Sequence, residues 1–354
     1  MIATSDIVVH PVSQSKLHNL QLENIPFGKH FTDHMLVAEY RNGAWGKVVI
    51  EPFNHISISP SLSALHYGQS IFEGVKAYRL ADGQTAIFRP YDNFKRFNLS
   101  AERMCMPTVP EDIFIDGMKQ LVALDAAWVP QFPDHSLYIR PFMFASEDAI
   151  GVKPSDSYLF MILLSPTGPY FMAPMRIYVE EQLVRAAPGG VGFAKTAGNY
   201  AAAMYASAQA KKAGYDQVLW TDALEHKYVQ EIGVMNVFFI INNTAITPSL
   251  DEGTILEGVT RASVITVLQE MGLDVEERRI SIDEVVEAYQ NGTLREVFGT
   301  GTAATIAFIK ELKYKETTMQ FDTPAWQIAP QVKSTLYNLR YGLEPDTHGW
   351  LELV

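Results

Sequence analysis

A single cysteine, Cys105, is all the thiol that this chain of 354 residues carries. An internal disulfide framework is thereby excluded, as is any zinc or iron–sulfur site built on cysteines. Basic residues are also scarce: 28 Lys and Arg stand against 40 Asp and Glu, for a formal charge of −12. Nucleic acid and anionic membranes are both recognised by clustered Lys and Arg, so neither is expected as a partner. A small anion is still open to the chain, because a few local donors suffice to hold one. Long apolar runs are missing too. The strongest, Tyr158-Leu159-Phe160-Met161-Ile162-Leu163-Leu164, falls far short of the ~20 residues of a membrane helix. It reads instead as a strand buried on both faces. The opening residues, Met1-Ile2-Ala3-Thr4-Ser5-Asp6, have neither the basic region nor the apolar run of an export signal, and no Arg precedes Arg41. The expectation is a soluble, cytoplasmic protein.

What is present is core-forming. Hydrophobic residues make up 47% of the chain, and a length of 354 residues suggests about two domains. A chain of this size buries about three quarters of its unfolded surface without needing a metal or a disulfide. Residues 1–25 are polar and form an extension that lies on the body. The spacing predicts helices over Asp92–Met104 and Pro110–Trp128, the second with Pro110, Glu111 and Asp112 in its opening turn. The segment from Ser165 to Pro174 packs three prolines and a glycine into ten residues directly after the buried strand. The resulting division is 1–168, a connecting loop over 169–180, and 181–354. In the second part, helices are expected over Tyr200–Lys212 and Thr260–Met271, stopped by Gly214 and Gly272. Ser281 and Glu284 form a capping-box signature for another helix through Tyr289. Val218–Trp220 and Val237–Ile241 read as strands. Strict β–α alternation is absent, so two α+β domains fit better than a doubly wound sheet.

Four constellations could carry chemistry. Lys195 lies among small residues in Gly192-Phe193-Ala194-Lys195-Thr196-Ala197-Gly198. A desolvated lysine there has a lowered pKa and a nucleophilic amine; the alternative is a solvated loop lysine. Glu231 is the only carboxylate between Tyr228 and Asn242, within a strongly apolar strand. Such a group needs a cation, either a protonated pyridine nitrogen or a structural arginine. Gly258-Val259-Thr260-Arg261 opens a helix with free N–H groups, a phosphate site or simply a helix cap. In Gly299-Thr300-Gly301-Thr302-Ala303-Ala304 small side chains let backbone N–H groups approach an oxyanion, or form a tight turn. With Arg96, these segments could hold a phosphate and a carboxylate.

Two other patterns compete. Gly189 followed by Ala194-Lys195-Thr196 approaches the phosphate loop of nucleotide hydrolases, with Val218-Leu219-Trp220-Thr221-Asp222 as its magnesium strand. Ala194 stands where that motif requires Gly. His30, Asp33 and His34 have helical metal-ligand spacing but lack the Glu of the zinc-hydrolase pattern, and no metal is expected.

Taken in order, Phe31-Thr32-Asp33-His34-Met35, Phe72-Glu73-Gly74-Val75-Lys76-Ala77-Tyr78, Tyr138-Ile139-Arg140-Pro141, Gly189-Gly190-Val191-Gly192, Gly198-Asn199-Tyr200, Glu231-Ile232-Gly233-Val234-Met235-Asn236 and Gly299-Thr300-Gly301-Thr302-Ala303 resemble the branched-chain amino acid aminotransferases. These are fold-type IV pyridoxal-phosphate enzymes, and the likeness runs from about residue 25 to 340. It implies an α+β protein with a smaller N-terminal α/β sandwich domain and a larger C-terminal pseudo-barrel domain carrying the cofactor lysine. It also implies pyridoxal 5'-phosphate bound covalently by Lys195, which then acts as general base and general acid. Glu231 would keep the ring nitrogen protonated, and Tyr200 would bond the phenolic oxygen. Arg96, Val259, Thr260 and Thr302 would take the phosphate. The resemblance places the substrate carboxylate at Thr302 and Ala303 with Tyr67, and the side chain among Phe27, Phe72, Tyr138 and Val152. Arg140 would meet the distal carboxylate of glutamate, and Tyr170 would close over the substrate. Tyr67 and Val152 would arrive from a second subunit, so at least a homodimer with the site at its interface is implied.

The implied activity is transamination of leucine, isoleucine and valine with 2-oxoglutarate. Within the same fold, D-amino-acid aminotransferases and aminodeoxychorismate lyases share the lysine and glutamate but not the full set of pocket motifs. Two departures stand out. Val234 occupies a position where many relatives have Thr beside the ring oxygen, and Ala304-Thr305-Ile306-Ala307 lacks the Cys-x-x-Cys of mammalian members, so no thiol switch is expected.

Overall fold

Largely buried apolar strands assemble two sheets, each with its own hydrophobic core. The structure, a computed structural model, describes residues 7–171 and 173–354. The reading of Met1–Asp6, and Met172 in the connecting segment, lie outside the described residues. Two compact units emerge, and neither is continuous along the chain. The first takes residues 7–170 together with Ala194–Ala197 and Tyr337–Val354; the second takes Phe171–Phe193 and Gly198–Leu336.

In the first unit the strands are β1 (Val8–Val9), β2 (His34–Arg41), β3 (Ala44–Pro52), β4 (Ser70–Phe72), β5 (Val75–Arg79), β6 (Thr85–Phe88), β7 (Ser136–Ala145) and β8 (Ser157–Thr167). They lie in the order β1-β3-β2-β8-β7-β5-β6, with Leu351–Leu353 added beside β6 and β4 beside β7. The apolar run at Tyr158 is the middle of β8, paired on both sides by β2 and β7. Asn42 and Gly43, both at positive φ, make the two-residue turn between β2 and β3 that an Asn-Gly pair favours. The polar extension is partly a strand, since β1 pairs with β3.

Asp33 and His34, read with His30 as a group at helical metal-ligand spacing, lie just before and at the start of β2 and hold that extension. His34 Nδ1 donates to Asp125 (2.7 Å) while Nε2 accepts from the Val12 N–H (2.9 Å). Asp33 accepts from Ser15 Oγ and the Lys16 N–H.

The unit's helices are α1 (Ser63–Tyr67), α2 (Pro90–Arg103) and α3 (Gly117–Leu124). The first expected helix is α2, displaced by one or two residues at each end. It buries Asn93, Arg96, Phe97, Ser100 and Ala101, a spacing of three and four residues that defines one face. The single helix expected over Pro110–Trp128 is instead three pieces: a π-type turn at Asp112–Asp116, α3, and a 3-10 turn at Ala126–Trp128. Asp125 breaks it, because its carboxylate turns to the His34 ring and backbone N–H.

In the second unit the strands are β9 (Met175–Glu180), β10 (Gln217–Thr221), β11 (Val229–Ile232), β12 (Asn236–Ile241), β13 (Thr244–Thr247), β14 (Asp274–Glu277), β15 (Leu294–Gly301), β16 (Thr305–Tyr314) and β17 (Thr317–Gln320). Their order is β11-β10-β9-β16-β15-β12-β13-β14, with β17 on β16. The helices α4 (Ala197–Lys212), α5 (Val259–Glu270) and α6 (Ile282–Gln290) match the expected ones, and α7 (Ile328–Arg340) follows. Half of the expected capping box forms. The Glu284 N–H donates to Ser281 Oγ (3.1 Å), but the Glu284 carboxylate turns to Arg278. Among the described residues no helix is long and apolar enough to cross a membrane. The α+β fold class is as expected.

One buried charge gives the first unit a pH dependence. Lys76 on β5 is 7% exposed, and burial, then the nearby Arg340 charge, lower its pKa from 10.5 to about 7, with Asp134 pulling the other way. Between those two values the unfolded chain holds a proton that the folded chain has released, so this group's contribution to stability rises with pH. Below about 7 both forms are protonated, and the cost of burying the charge is present in full. We expect Lys76→Met, similar in volume and uncharged, to melt higher than the parent at about pH 6. The gap should narrow steadily toward about pH 10; a gap independent of pH in differential scanning calorimetry would refute this.

Candidate active site

In the first unit the structure gathers Lys195, Arg96 and a set of aromatic side chains. Ala194–Ala197 belongs to this unit although both flanking segments belong to the other. Its backbone extends β4: Ile71 bridges Thr196, the Phe72 N–H donates to the Lys195 carbonyl (3.1 Å), and Thr196 Oγ1 donates to Ser70 O (2.9 Å). The Lys195 N–H donates to Ser100 Oγ on α2 (2.9 Å). Lys195 is therefore half-buried and held at both backbone groups, with its Nζ 4.9 Å from the Phe72 ring centre, rather than lying in a solvated loop.

These bonds also count against a phosphate loop. Thr196 Oγ1, which such a loop would turn toward magnesium, is spent on Ser70. Asp222 at the end of the supposed magnesium strand accepts four backbone N–H groups, from Leu224, Glu225, Lys227 and Tyr228. Burial alone would raise its pKa, but those bonds outweigh it and hold the carboxyl below its usual range.

Arg96 has a partner that sequence reasoning missed. Its Nε and Nη2 donate to the two oxygens of Glu73, at 2.7 and 2.8 Å. Glu73 is fully buried and also accepts from Asn93 Nδ2 (2.7 Å) and the Gly74 N–H (3.1 Å). Burial by itself raises the Glu73 pKa; the Arg96 charge and bonds, the Lys195 charge and the Asn93 bond together overcome that and lower it. Breaking so buried a pair from one side costs about 3–5 kcal/mol, because the other charge is left uncompensated. The available signal was the polar content of one helix face, Asn93, Arg96 and Ser100, which a core accepts only with partners.

Phe27, Phe72, Tyr138, Arg140 and Tyr170 form one connected set. Phe27 meets Tyr138 and Tyr170 edge-on, at 4.9 and 5.1 Å between ring centres. Arg140 donates to Tyr138 Oη (2.8 Å) and lies over Phe72 at 4.6 Å. Gly74 makes room for this arrangement, since a Cβ there would lie 2.3 Å from Tyr138 Oη. Tyr67 and Val152 stand apart from the set, 42% and 91% exposed.

In the second unit three motifs converge through Leu256. Its N–H donates to Glu231 Oε1 (2.7 Å), and its carbonyl accepts from Asn236 Nδ2 (2.9 Å). Asn236 in turn pairs with Thr300 across β12 and β15. Glu231 is 3% exposed, and Arg185 Nη2 stands 3.3 Å from its Oε1, the structural arginine that residue logic offered. Its other oxygen, Oε2, receives no hydrogen bond among the described residues, so half of a buried carboxylate remains available.

Gly258 precedes α5 with no side-chain cap, leaving the first-turn N–H groups of Val259 and Thr260 without intrahelical partners. A Cβ at Gly258 would lie 2.0 Å from Asn236 Oδ1, so glycine is needed there for close approach. Thr302 and Ala303 sit half-buried in the turn between Gly301 and Thr305, which pair across β15 and β16. Tyr200 is half-buried in the first turn of α4. Arg185 and Asn236 are further residues that the sequence did not single out.

Residues 70–312 match the family model of amino-transferase class IV. The chain is 48% identical over 333 residues to branched-chain-amino-acid transaminase 1 of Bacillus subtilis (strain 168), covering 92% of this chain and 93% of that one. It is 47% identical to a probable branched-chain-amino-acid aminotransferase of Staphylococcus aureus (strain N315), covering 93% of each. Among solved structures, a T.th. branched-chain amino acid aminotransferase complexed with N-(5'-phosphopyridoxyl)-L-glutamate is similar, with TM-score 0.72 and 28% identity over 90% of this chain and 97% of that one. The branched-chain aminotransferase from Thermoproteus uzoniensis with norvaline has TM-score 0.74 and 25% identity, over 90% and 99%. The ordered motifs, the half-open buried carboxylate and these likenesses agree: the chain belongs to the class IV aminotransferases, among the branched-chain amino acid aminotransferases.

Proposed function

We propose that this chain transaminates L-leucine, L-isoleucine and L-valine with 2-oxoglutarate, giving branched 2-oxo acids and L-glutamate. Pyridoxal phosphate is the cofactor of this family, and when bound it supplies a sink for the electrons released at the substrate Cα. The residues present fit it. Lys195 offers the amine that holds it. The Oε2 of Glu231, which receives no hydrogen bond among the described residues, would keep the ring nitrogen protonated. Tyr200 would bond the ring oxygen, while Arg96, the first-turn N–H groups of Val259 and Thr260, and Thr302 would take the phosphate.

Lys195 Nζ removes the proton from the substrate Cα and delivers it again as an acid. Thr302 and Ala303 receive the α-carboxylate. Phe27, Phe72 and Tyr138 form an apolar wall that suits a branched side chain and disfavours water. Arg140, already aimed by Tyr138, pairs with the distal carboxylate of glutamate, and Tyr170 closes over the substrate. Tyr67 and Val152, both exposed, complete the pocket of a second copy in a homodimer that works in the cytoplasm. Val234, 52% exposed, offers no hydroxyl to the ring oxygen, which leaves that bond to Tyr200.

The observation that supports this reading most directly is the buried, half-satisfied Glu231. Its test is the visible spectrum of the protein loaded with pyridoxal phosphate. L-Leucine should bleach the band and 2-oxoglutarate should restore it, while D-alanine and aminodeoxychorismate leave it unchanged. Bleaching by D-alanine but not by L-leucine would replace this reading with a D-amino-acid aminotransferase.

A further inference from the structure

Ser100 lies in the interior of α2, fully buried, where a serine is a poor choice unless its hydroxyl is used. Here it is used twice. The hydroxyl donates its one proton to the carbonyl of Arg96, one turn back (3.0 Å), so toward the Lys195 N–H it can only be an acceptor, at 2.9 Å. The same helix face thus carries Arg96 and, four residues later, the group that receives the backbone of the reacting lysine. On its other side the Lys195 carbonyl accepts from the Phe72 N–H.

We propose that Ser100 is a positioning residue of the reaction, fixing the Lys195 backbone in register with the helix that carries Arg96. The proposal rests on the transaminase reading above. Among the described residues the Ser100 hydroxyl bonds Arg96 and Lys195, neither of them assigned to the substrate side chain or carboxylate, so its effect is on where the lysine amine stands and not on how tightly leucine binds. A displacement of about 1 Å at a reacting group is enough to cost about 10²-fold in rate.

Ser100→Ala, assayed as holoenzyme, should therefore lower kcat for leucine by roughly 10- to 100-fold while leaving KM within about twofold. The amide of Lys195, read in a short peptide by hydrogen–deuterium exchange, should change from slow to fast exchange. Ser100→Thr should restore both, because a threonine hydroxyl also bonds the carbonyl one turn back. Melting curves establish that each variant is folded. If threonine is too large for the site, the exchange and kcat of the alanine variant still decide.

If Ser100→Ala keeps the parent kcat, or if the Lys195 amide stays as protected as before, the proposal is overturned. A merely structural serine would lower the melting temperature and leave kcat alone. Borohydride reduction of the loaded parent protein separates the two failures. With no cofactor adduct on Lys195, the transaminase reading itself falls and this inference with it; with the adduct present and Ser100→Ala fully active, only the inference falls.

Discussion

Lys195→Ala is expected to eliminate transamination of leucine while the protein remains folded. The residue is half-buried and held at both backbone groups, which alanine preserves: the N–H to Ser100 and the carbonyl to Phe72 do not depend on the side chain. The melting temperature should therefore stay close to that of the parent. The catalytic loss has two parts. General acid–base transfer by a positioned group is worth about 10²–10⁴-fold, and the covalent hold on the cofactor is lost as well. Turnover should thus fall by at least about 10⁴-fold. Mass spectrometry after borohydride reduction should find the cofactor adduct on the parent peptide and none on the variant. Normal turnover of leucine by Lys195→Ala would remove the assigned base.

Glu231→Gln should produce the second largest effect, and a different one. Glutamine keeps the shape and still offers a carbonyl oxygen to the Leu256 N–H, so the junction of Leu256 with Asn236 should hold. The negative charge is lost, and with it the partner for a protonated ring nitrogen. Arg185, 3.3 Å from the carboxylate in the parent, is left beside a neutral amide. Charge stabilisation of this kind at a reacting group is worth about 10²–10³-fold in kcat. That is the expected loss, with cofactor still attached to Lys195 and the band still visible. Such a split would separate an electronic role from simple loss of binding. If Glu231→Gln turned over leucine at the parent rate, Glu231 would be a structural partner of Arg185 and nothing more.

The site was unevenly legible in the sequence. Lys195 and Glu231 stood out because each contradicts its surroundings: an amine among small residues, and one carboxylate in an apolar strand. Gly258 stood out because it opens a helix and the Gly299–Ala304 stretch because small residues let backbone approach closely; that Gly258 also has no room for a Cβ, which would meet Asn236 Oδ1, came only from the fold. Glu73 was overlooked although it sits inside the quoted Phe72-Glu73-Gly74 motif. Its partners Arg96 and Asn93 are about twenty residues away, and local pattern carries no information about such a pairing. Arg185 and Asn236 were missed for the same reason. The helix expected over Pro110–Trp128 failed where Asp125 bonds His34, ninety-one residues distant in the chain.

Local sequence determined by itself the elements whose causes are local: the Asn42–Gly43 turn, the doubly buried strand at Tyr158, the amphipathic face of α2 and the Ser281 cap. Each follows from periodicity, a positive φ or a side chain bonding its own neighbourhood. Only the tertiary structure decided that Ala194–Ala197 leaves the segments on either side of it and extends β4, and that Ser100 receives the Lys195 N–H. The physical reason is that a hydroxyl and a backbone amide ninety-five residues apart satisfy each other only after both have been buried together, and burial of that kind belongs to the whole fold.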